Sequence, residues 1–264
     1  MTDIKFEKAP DGTPIAFRTD GRDDLGRCGF VWLGGYKSDM EGSKAEALAA
    51  LARETRRPCL RFDYSGHGAS GGLFVDGTIS KWLEQSVHMV LTHGRGPRIL
   101  VGSSMGGWLT LLLYRHLQRA SPQAAPFIKG LVLLAPAADM TSELMWDAFP
   151  DAVREELNQK GVWMRPSAYG EPYAITKRLI EDGRKHLMLH DSLDVSCPVR
   201  ILQGDEDPDV PATHAVKVFG ALSGPDVTLT LIKGGDHRLS TPGNLALLRE
   251  TVLRLAERSE GVSV

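Results

Sequence analysis

The stretch Ile99-Leu100-Val101-Gly102-Ser103-Ser104-Met105-Gly106-Gly107-Trp108-Leu109 decides how this chain is read. A short apolar run of β type meets Gly-x-Ser-x-Gly, and an apolar run with helical spacing follows at once. That order describes a strand, one sharp turn and a helix, with Ser104 on the turn as a nucleophile elbow. Gly102 and Gly106 suit the place because strand and helix crowd such a turn and leave no room for a Cβ. The first N–H groups of the helix face the serine, an arrangement that favours developing negative charge.

The spacing says little without its context. Gly68-Ala69-Ser70-Gly71-Gly72 meets the same pattern after a strand-like run at 59–64. No helical pattern follows it, and Gly71-Gly72 and Asp76-Gly77 bracket a loop, so Ser70 reads as a turn residue.

Outward from the elbow, strands and helices alternate. Two short strands surround the turn signal Asp11-Gly12 within residues 3–20. Near-continuous apolar strands are predicted at 27–33, 59–64, 98–102, 128–136, 197–203 and 227–233. Helices are predicted at 44–55, 80–93, 106–120, 212–222 and 244–258. The pattern predicts one domain over 1–264. Its core is a mostly parallel eight-stranded sheet with helices on both faces and an antiparallel pair at one edge. Residues 138–196 break the alternation with helical stretches at roughly 141–160 and 172–186, and are read as an inserted helical cap.

Bulk properties exclude several classes. A 42% hydrophobic and 24% charged composition is that of a soluble globular chain, and a net charge of −2 without a basic block argues against nucleic acid as partner. No apolar run reaches the roughly 18–20 residues that span a bilayer. The N-terminal Met1-Thr2-Asp3-Ile4-Lys5 has no apolar targeting core, so a cytoplasmic protein is expected. Cys28, Cys59 and Cys197 read as reduced structural thiols.

In a doubly wound sheet, ligands bind beyond the carboxyl ends of the strands. Besides Ser104, two such ends carry polar chemistry: Gly204-Asp205-Glu206-Asp207-Pro208-Asp209, and Gly234-Gly235-Asp236-His237-Arg238. A serine hydroxyl needs a base to take its proton, and histidine holds and returns a proton near neutral pH. His237 follows the last strand in a glycine-rich loop able to reach the serine. His88, His93, His116 and His214 fall in or beside helical runs, His186 and His190 close the inserted block, and His67 sits in a loop where a turn role is favoured over lining the pocket. A carboxylate is expected on the other ring nitrogen. Asp207, central in its loop, is favoured, with Asp205 next. Asp139 beyond the strand 128–136 is a separate option, and Asp236 reads as a loop-shaping residue. Backbone N–H groups of Met105 and of Tyr36, in the loop Gly34-Gly35-Tyr36-Lys37, are expected to hold a tetrahedral oxyanion.

Several stretches carry a resemblance: Gly35-Tyr36-Lys37-Ser38-Asp39-Met40, Arg61-Phe62-Asp63-Tyr64-Ser65-Gly66, residues 102–108, Lys160-Gly161-Val162-Trp163, Cys197-Pro198-Val199-Arg200 and Asp236-His237-Arg238. With them the chain resembles the α/β-hydrolase superfamily along its whole length, and within it the acyl-glucuronide esterases and palmitoyl-protein thioesterases. The resemblance implies Ser104, Asp207 and His237 as a catalytic triad. The expected activity is hydrolysis of a small-molecule carboxylic ester or thioester through an acyl-enzyme, with neither metal nor organic cofactor. The alternatives are C–C bond hydrolysis of diketones by the same triad and, less favoured, a non-catalytic binding protein. Leu144, Met145, Trp146, Phe149, Trp163 and Met164 are candidates to wall an acyl pocket, or simply to form the core of the cap.

Overall fold

The structure is a computed structural model in which residues 2–22, 26–167 and 170–261 are described. Two short strands, β1 (Lys5–Lys8) and β2 (Pro14–Asp20), form a hairpin. Its turn is set by Asp11, whose carboxylate accepts the Thr13 N–H at 2.9 Å, and by Gly12 at φ +83°. Then follow β3 (Gly29–Leu33), α1 (Ser43–Thr55), β4 (Cys59–Phe62), α2 (Ile79–His93), β5 (Arg98–Ser103), α3 (Met105–Ala120) and β6 (Ile128–Leu134). Beyond an insertion the chain resumes with β10 (Val199–Gly204), α6 (Ala212–Ala221), β12 (Val227–Ile232) and α7 (Pro242–Ser259).

Among the described residues, eight strands make one sheet in the order β1-β2-β4-β3-β5-β6-β10-β12. All neighbours from β4 to β12 run parallel, and the β1–β2 and β2–β4 pairs run antiparallel. The expected sheet, with its antiparallel edge, is therefore present. Alternate residues of the central strands serve opposite faces. Val31, Leu33, Leu100, Leu131 and Leu133 pack under α2 and α3, whereas Phe30, Trp32, Ile99, Val101 and Val132 pack under α1 and α7. Each such side chain contributes about 1.5–3 kcal/mol by leaving water, which makes the sheet centre a rigid platform for the loops at its carboxyl edge. Thr78 and Thr241 start α2 and α7 by accepting the N–H of Lys81 and of Asn244.

The insertion between β6 and β10 departs from an all-helical cap. A π-helical turn (Thr141–Trp146) and α4 (Asp151–Lys160) fall in the first helical stretch. An antiparallel hairpin then follows, β7 (Val162–Ser167) with β8 (Gly170–Thr176), and the second helix, α5 (Lys177–Gly183), begins only there. The hairpin escapes a search for buried strands because it is a two-stranded ribbon with an open face, tolerating Pro166 and Arg165. Two short strands, β9 (Leu193–Asp194) and β11 (Leu222–Ser223), form a separate parallel pair. The insertion is tied down by Asp139, which accepts the N–H groups of Met188 (2.9 Å) and Leu189 (3.0 Å), and by Asp182, which accepts the Ser80 hydroxyl at 2.8 Å. Cys28, Cys59 and Cys197 are all free and buried, as expected of structural thiols. Among the described residues, no helix is long and apolar enough to cross a membrane.

Candidate active site

β5 ends at Ser103 and α3 begins at Met105, so Ser104 occupies the turn between them with φ 54° and ψ −120°. A non-glycine residue rarely adopts this backbone, and here the turn is clamped: Ser104 N–H donates to the Leu134 carbonyl at 2.9 Å and its own carbonyl accepts the Ala137 N–H at 3.1 Å. The crowding anticipated at the two glycines is real. A Cβ on Gly102 would lie 2.3 Å from the Gly106 carbonyl oxygen, and one on Gly106 would lie 2.0 Å from that of Leu33. Ser70, of the other Gly-x-Ser-x-Gly, is consumed locally, donating to the Asp63 carbonyl at 2.7 Å and accepting the Ala16 N–H at 2.8 Å.

The loops after β10 and β12 bring two further side chains to Ser104. The Ser104 hydroxyl lies 3.1 Å from His237 Nε2, and His237 Nδ1 lies 2.8 Å from Asp207 Oδ2. With Nδ1–H donating to the carboxylate, Nε2 is left to accept from the serine. The two loops are held against each other by Asp205, whose carboxylate accepts the Lys233 ammonium (2.8 Å) and the Gly234 N–H (2.6 Å) and therefore faces away from the histidine. Asp209 pairs with Arg165 at 3.6 Å, Asp236 accepts the Leu239 N–H at 2.9 Å as a loop-shaping residue, and Asp139 is occupied by the insertion.

Asp207 is fully saturated. Oδ1 accepts the N–H groups of Asp209 (2.9 Å) and Val210 (2.8 Å), and Oδ2 accepts His237 and the Gln203 amide (3.1 Å). Burial works against its charge, but the His237 hydrogen bond, the His237 charge and the two backbone donors outweigh it and hold its carboxyl below the usual aspartate value. Gln203 was not singled out from sequence. Its signal is a lone amide closing an apolar strand, and its buried side chain also donates to the carbonyls of Gly204 and Val210. Asp207, Asp209 and His237 offer atoms within 4.8 Å of one another, close enough for a metal ion. Both His237 nitrogens and both Asp207 oxygens already have hydrogen-bond partners within the chain.

The loop after β3 abuts the serine from the other side: a Cβ on Gly35 would sit 3.4 Å from Ser104 Cβ. The neighbouring Tyr36 turns its ring into an aromatic cluster and donates its hydroxyl to the Ala174 carbonyl at 2.9 Å, and burial pushes the phenol far above its usual range. His67 stands beside this loop, buried, with Nε2 accepting the Lys37 N–H at 3.1 Å.

Ser104 and His237 open onto a cavity of about 700 Å³. Its apolar lining includes Ala137, Met140, Leu144, Met145 and Val210. Its charged lining comes from Lys37, Asp39, Lys44, Arg165, Glu171, Asp209 and Arg238, and burial lowers the Lys44 ammonium to about 8 against the raising influence of Asp236. Of the six apolar candidates in the insertion, Leu144 and Met145 line this cavity. Phe149 and Trp163 instead stack edge-on at 5.1 Å in the core of the insertion, Trp146 lies under the guanidinium of Arg184, and Met164 is exposed.

A strand-capping serine, a histidine after the last strand and an acid after the strand before it, on a mostly parallel eight-stranded sheet, match a known family. Residues 29–246 match the model of the alpha/beta hydrolase family, and the chain belongs to it. Human mitochondrial palmitoyl-protein thioesterase ABHD10 is 33% identical over 260 residues, covering 97% of this chain and 81% of the human one. Among solved structures, a protein from Agrobacterium vitis S4 is 42% identical with a TM-score of 0.91, covering 97% of this chain and 99% of that one. Mouse alpha/beta hydrolase domain-containing protein 10 is 31% identical with a TM-score of 0.84, again covering 97% and 99%.

Proposed function

We propose that this α/β hydrolase cleaves carboxylic esters or thioesters through an acyl-enzyme formed on Ser104. The observation that carries the reading is the series Ser104 Oγ to His237 Nε2 at 3.1 Å and His237 Nδ1 to Asp207 Oδ2 at 2.8 Å. Ser104 Oγ attacks the acyl carbon while His237 takes its proton, and Asp207 holds the imidazole tautomer and stabilises the imidazolium. The N–H groups of Met105 and Tyr36 receive the oxyanion, each worth about 2.7–4 kcal/mol in the transition state. His237 then gives its proton to the departing alcohol or thiol, and water repeats the cycle on the acyl-enzyme. The volume of about 700 Å³ is that of a small-molecule site. Its apolar lining residues suit an acyl chain and its charged ones a polar leaving group.

The test is a fluorophosphonate probe and a p-nitrophenyl ester and acyl-thioester panel, run on the wild type and on Ser104→Ala. Labelling and turnover are expected in the wild type and absent in the variant. Equal labelling of both proteins would reject the assignment.

A further inference from the structure

The loop that carries Tyr36 is gripped at two points by side chains from the loop after β4. Tyr64 donates its hydroxyl to the Gly34 carbonyl at 3.2 Å, and His67 Nε2 accepts the Lys37 N–H at 3.1 Å. The grip on Lys37 matters because this residue is held at φ +57°, a left-handed backbone that a lysine does not favour. Without it the peptide between Tyr36 and Lys37 loses the acceptor of its N–H, and the loop that carries the Tyr36 N–H is held less firmly. Gly35, in the same loop, lies so near the serine that a Cβ on it would sit 3.4 Å from Ser104 Cβ, so a rotation of this loop changes the geometry beside the serine.

His67 is built for this acceptor role. Its Nδ1 faces the Ser65 carbonyl at 3.2 Å, which places the proton there and leaves a lone pair on Nε2. Ser65 is itself fixed, its N–H donating to Gln85 Oε1 at 3.0 Å and its carbonyl accepting the Trp82 indole N–H at 3.2 Å. The ring is caged by Tyr64, Phe74 and Trp82, with centroids 5.5, 5.1 and 5.1 Å away. Burial keeps it neutral, since desolvation lowers the imidazole to about 4, so Nε2 keeps its lone pair at neutral pH.

We infer that His67 is a positioning residue for the hydrolytic reaction. By accepting the Lys37 N–H it locks the strained loop 34–37 and so aims the Tyr36 N–H at the oxyanion on the carbon attacked by Ser104. This rests on the reading of Ser104 and Tyr36 proposed above. It assigns to His67 more than the turn role that its sequence position suggests.

Three substitutions separate positioning from packing. His67→Phe keeps a ring in the aromatic cage and removes both nitrogens. His67→Gln presents an amide oxygen near the place of Nε2, and His67→Asn presents one only near Nδ1. With a p-nitrophenyl ester, His67→Phe is expected to lose roughly 10–100-fold in kcat with KM unchanged within about twofold, the loss expected when a reacting group moves by about an ångström. His67→Gln should recover most of that loss and His67→Asn should not. Thermal unfolding of each variant reports whether it is folded, and where His67→Phe fails to fold, the Gln and Asn comparison decides. Wild-type kcat in folded His67→Phe, or equal kcat in the Gln and Asn variants, overturns the inference. Ser104→Ala in the same assay keeps the two claims apart. An inactive serine variant beside a fully active His67→Phe removes only the role of His67, whereas an active Ser104→Ala removes the serine reading itself.

Discussion

Replacing Asp207 with asparagine changes one oxygen for an amide and leaves the shape of the site intact, so its consequences follow from hydrogen-bond direction. The carboxylate accepts four donors: Asp209 N–H and Val210 N–H on one oxygen, His237 Nδ1 and the Gln203 amide on the other. An asparagine NH₂ set toward the two backbone N–H groups opposes donors that cannot change. Set the other way, it opposes Gln203, which still has the Gly204 and Val210 carbonyls, and His237, which can shift its proton to the other nitrogen. The second orientation is therefore favoured. It puts the imidazole proton on Nε2, facing the Ser104 hydroxyl it is meant to deprotonate. The expected loss in kcat is about ten-thousand-fold, or about 5 kcal/mol of transition-state stabilisation, with KM little altered. Asp205→Asn should stay within about twofold, because that carboxylate faces Lys233 and Gly234 at the rim. Steady-state hydrolysis of a p-nitrophenyl ester by both variants, with thermal unfolding to show they are folded, is the assay. Asp207→Asn within tenfold of the wild type would refute the tautomer argument, and a greater loss in Asp205→Asn would move the acid to that residue.

Other outcomes are equally specific. Arg61→Met should cost about 3–5 kcal/mol in urea unfolding, because Arg61 Nε meets the fully buried Asp20 carboxylate at 2.9 Å and Nη1 meets Glu46 at 2.5 Å; a loss under 1 kcal/mol would contradict it. Gly106→Ala, whose Cβ falls 2.0 Å from the Leu33 carbonyl, should destabilise by about 3 kcal/mol or more, whereas Gly161→Ala, at φ +75° with nothing within 4 Å, should cost only about 1–2 kcal/mol of backbone strain; similar unfolding midpoints for the two would sink the steric reading. His67 takes its proton near 4 in the folded chain and near 6.5 when unfolded, so the unfolded chain binds the proton first as pH falls. The stability of the wild type should be intact above about pH 6.5 and decline toward pH 4 by up to about 3 kcal/mol through this group, and His67→Phe should flatten that part of the curve; parallel curves would refute it.

What was legible in the sequence, and what was not, divides along a physical line. The central strands are buried on both faces, so their apolar runs stand out, and the strand ends place Ser104, His237 and the acids on one edge without reference to contacts. Strands β7 and β8 are half exposed along their described residues and have no such run, so they read as helix or loop. The choice between Asp205 and Asp207 depends on which way a carboxylate turns from a loop. The partners that distinguish them, Lys233 against Asp205 and His237 against Asp207, come from a segment about thirty residues further along the chain. The role of His67 is hidden for the same reason: its acceptor nitrogen acts on a backbone N–H thirty residues earlier in the chain. The six candidate acyl-wall residues are all apolar in the sequence, and only packing decides that Leu144 and Met145 line the cavity while Phe149 and Trp163 meet each other.

Backbone strain in this molecule gathers where chemistry is proposed. Among the described residues, the non-glycine positions with positive φ are Lys37, Arg56, Ser104, Ala135, Asp139 and Leu239. Arg56 closes α1, and the other five lie in the loops just beyond the carboxyl ends of β3, β5, β6 and β12. Each such residue costs on the order of 1–3 kcal/mol, a burden that in sum rivals the net stability of a domain and persists only where the surroundings over-determine it. Three of the five have their N–H seated on a distant acceptor, Ser104 on the Leu134 carbonyl, Ala135 on the Leu202 carbonyl and Lys37 on His67, and Leu239 has its own on the nearby Asp236 carboxylate. Two of those acceptors are carbonyls of the rigid central strands, and the other two are side chains. A carbonyl of the sheet cannot be altered without moving the sheet, so of these four acceptors His67 and Asp236 are the two at which substitution can loosen the strained edge one loop at a time. Positioning of Tyr36 on one side and of His237 on the other is therefore adjustable independently of the fold that carries them.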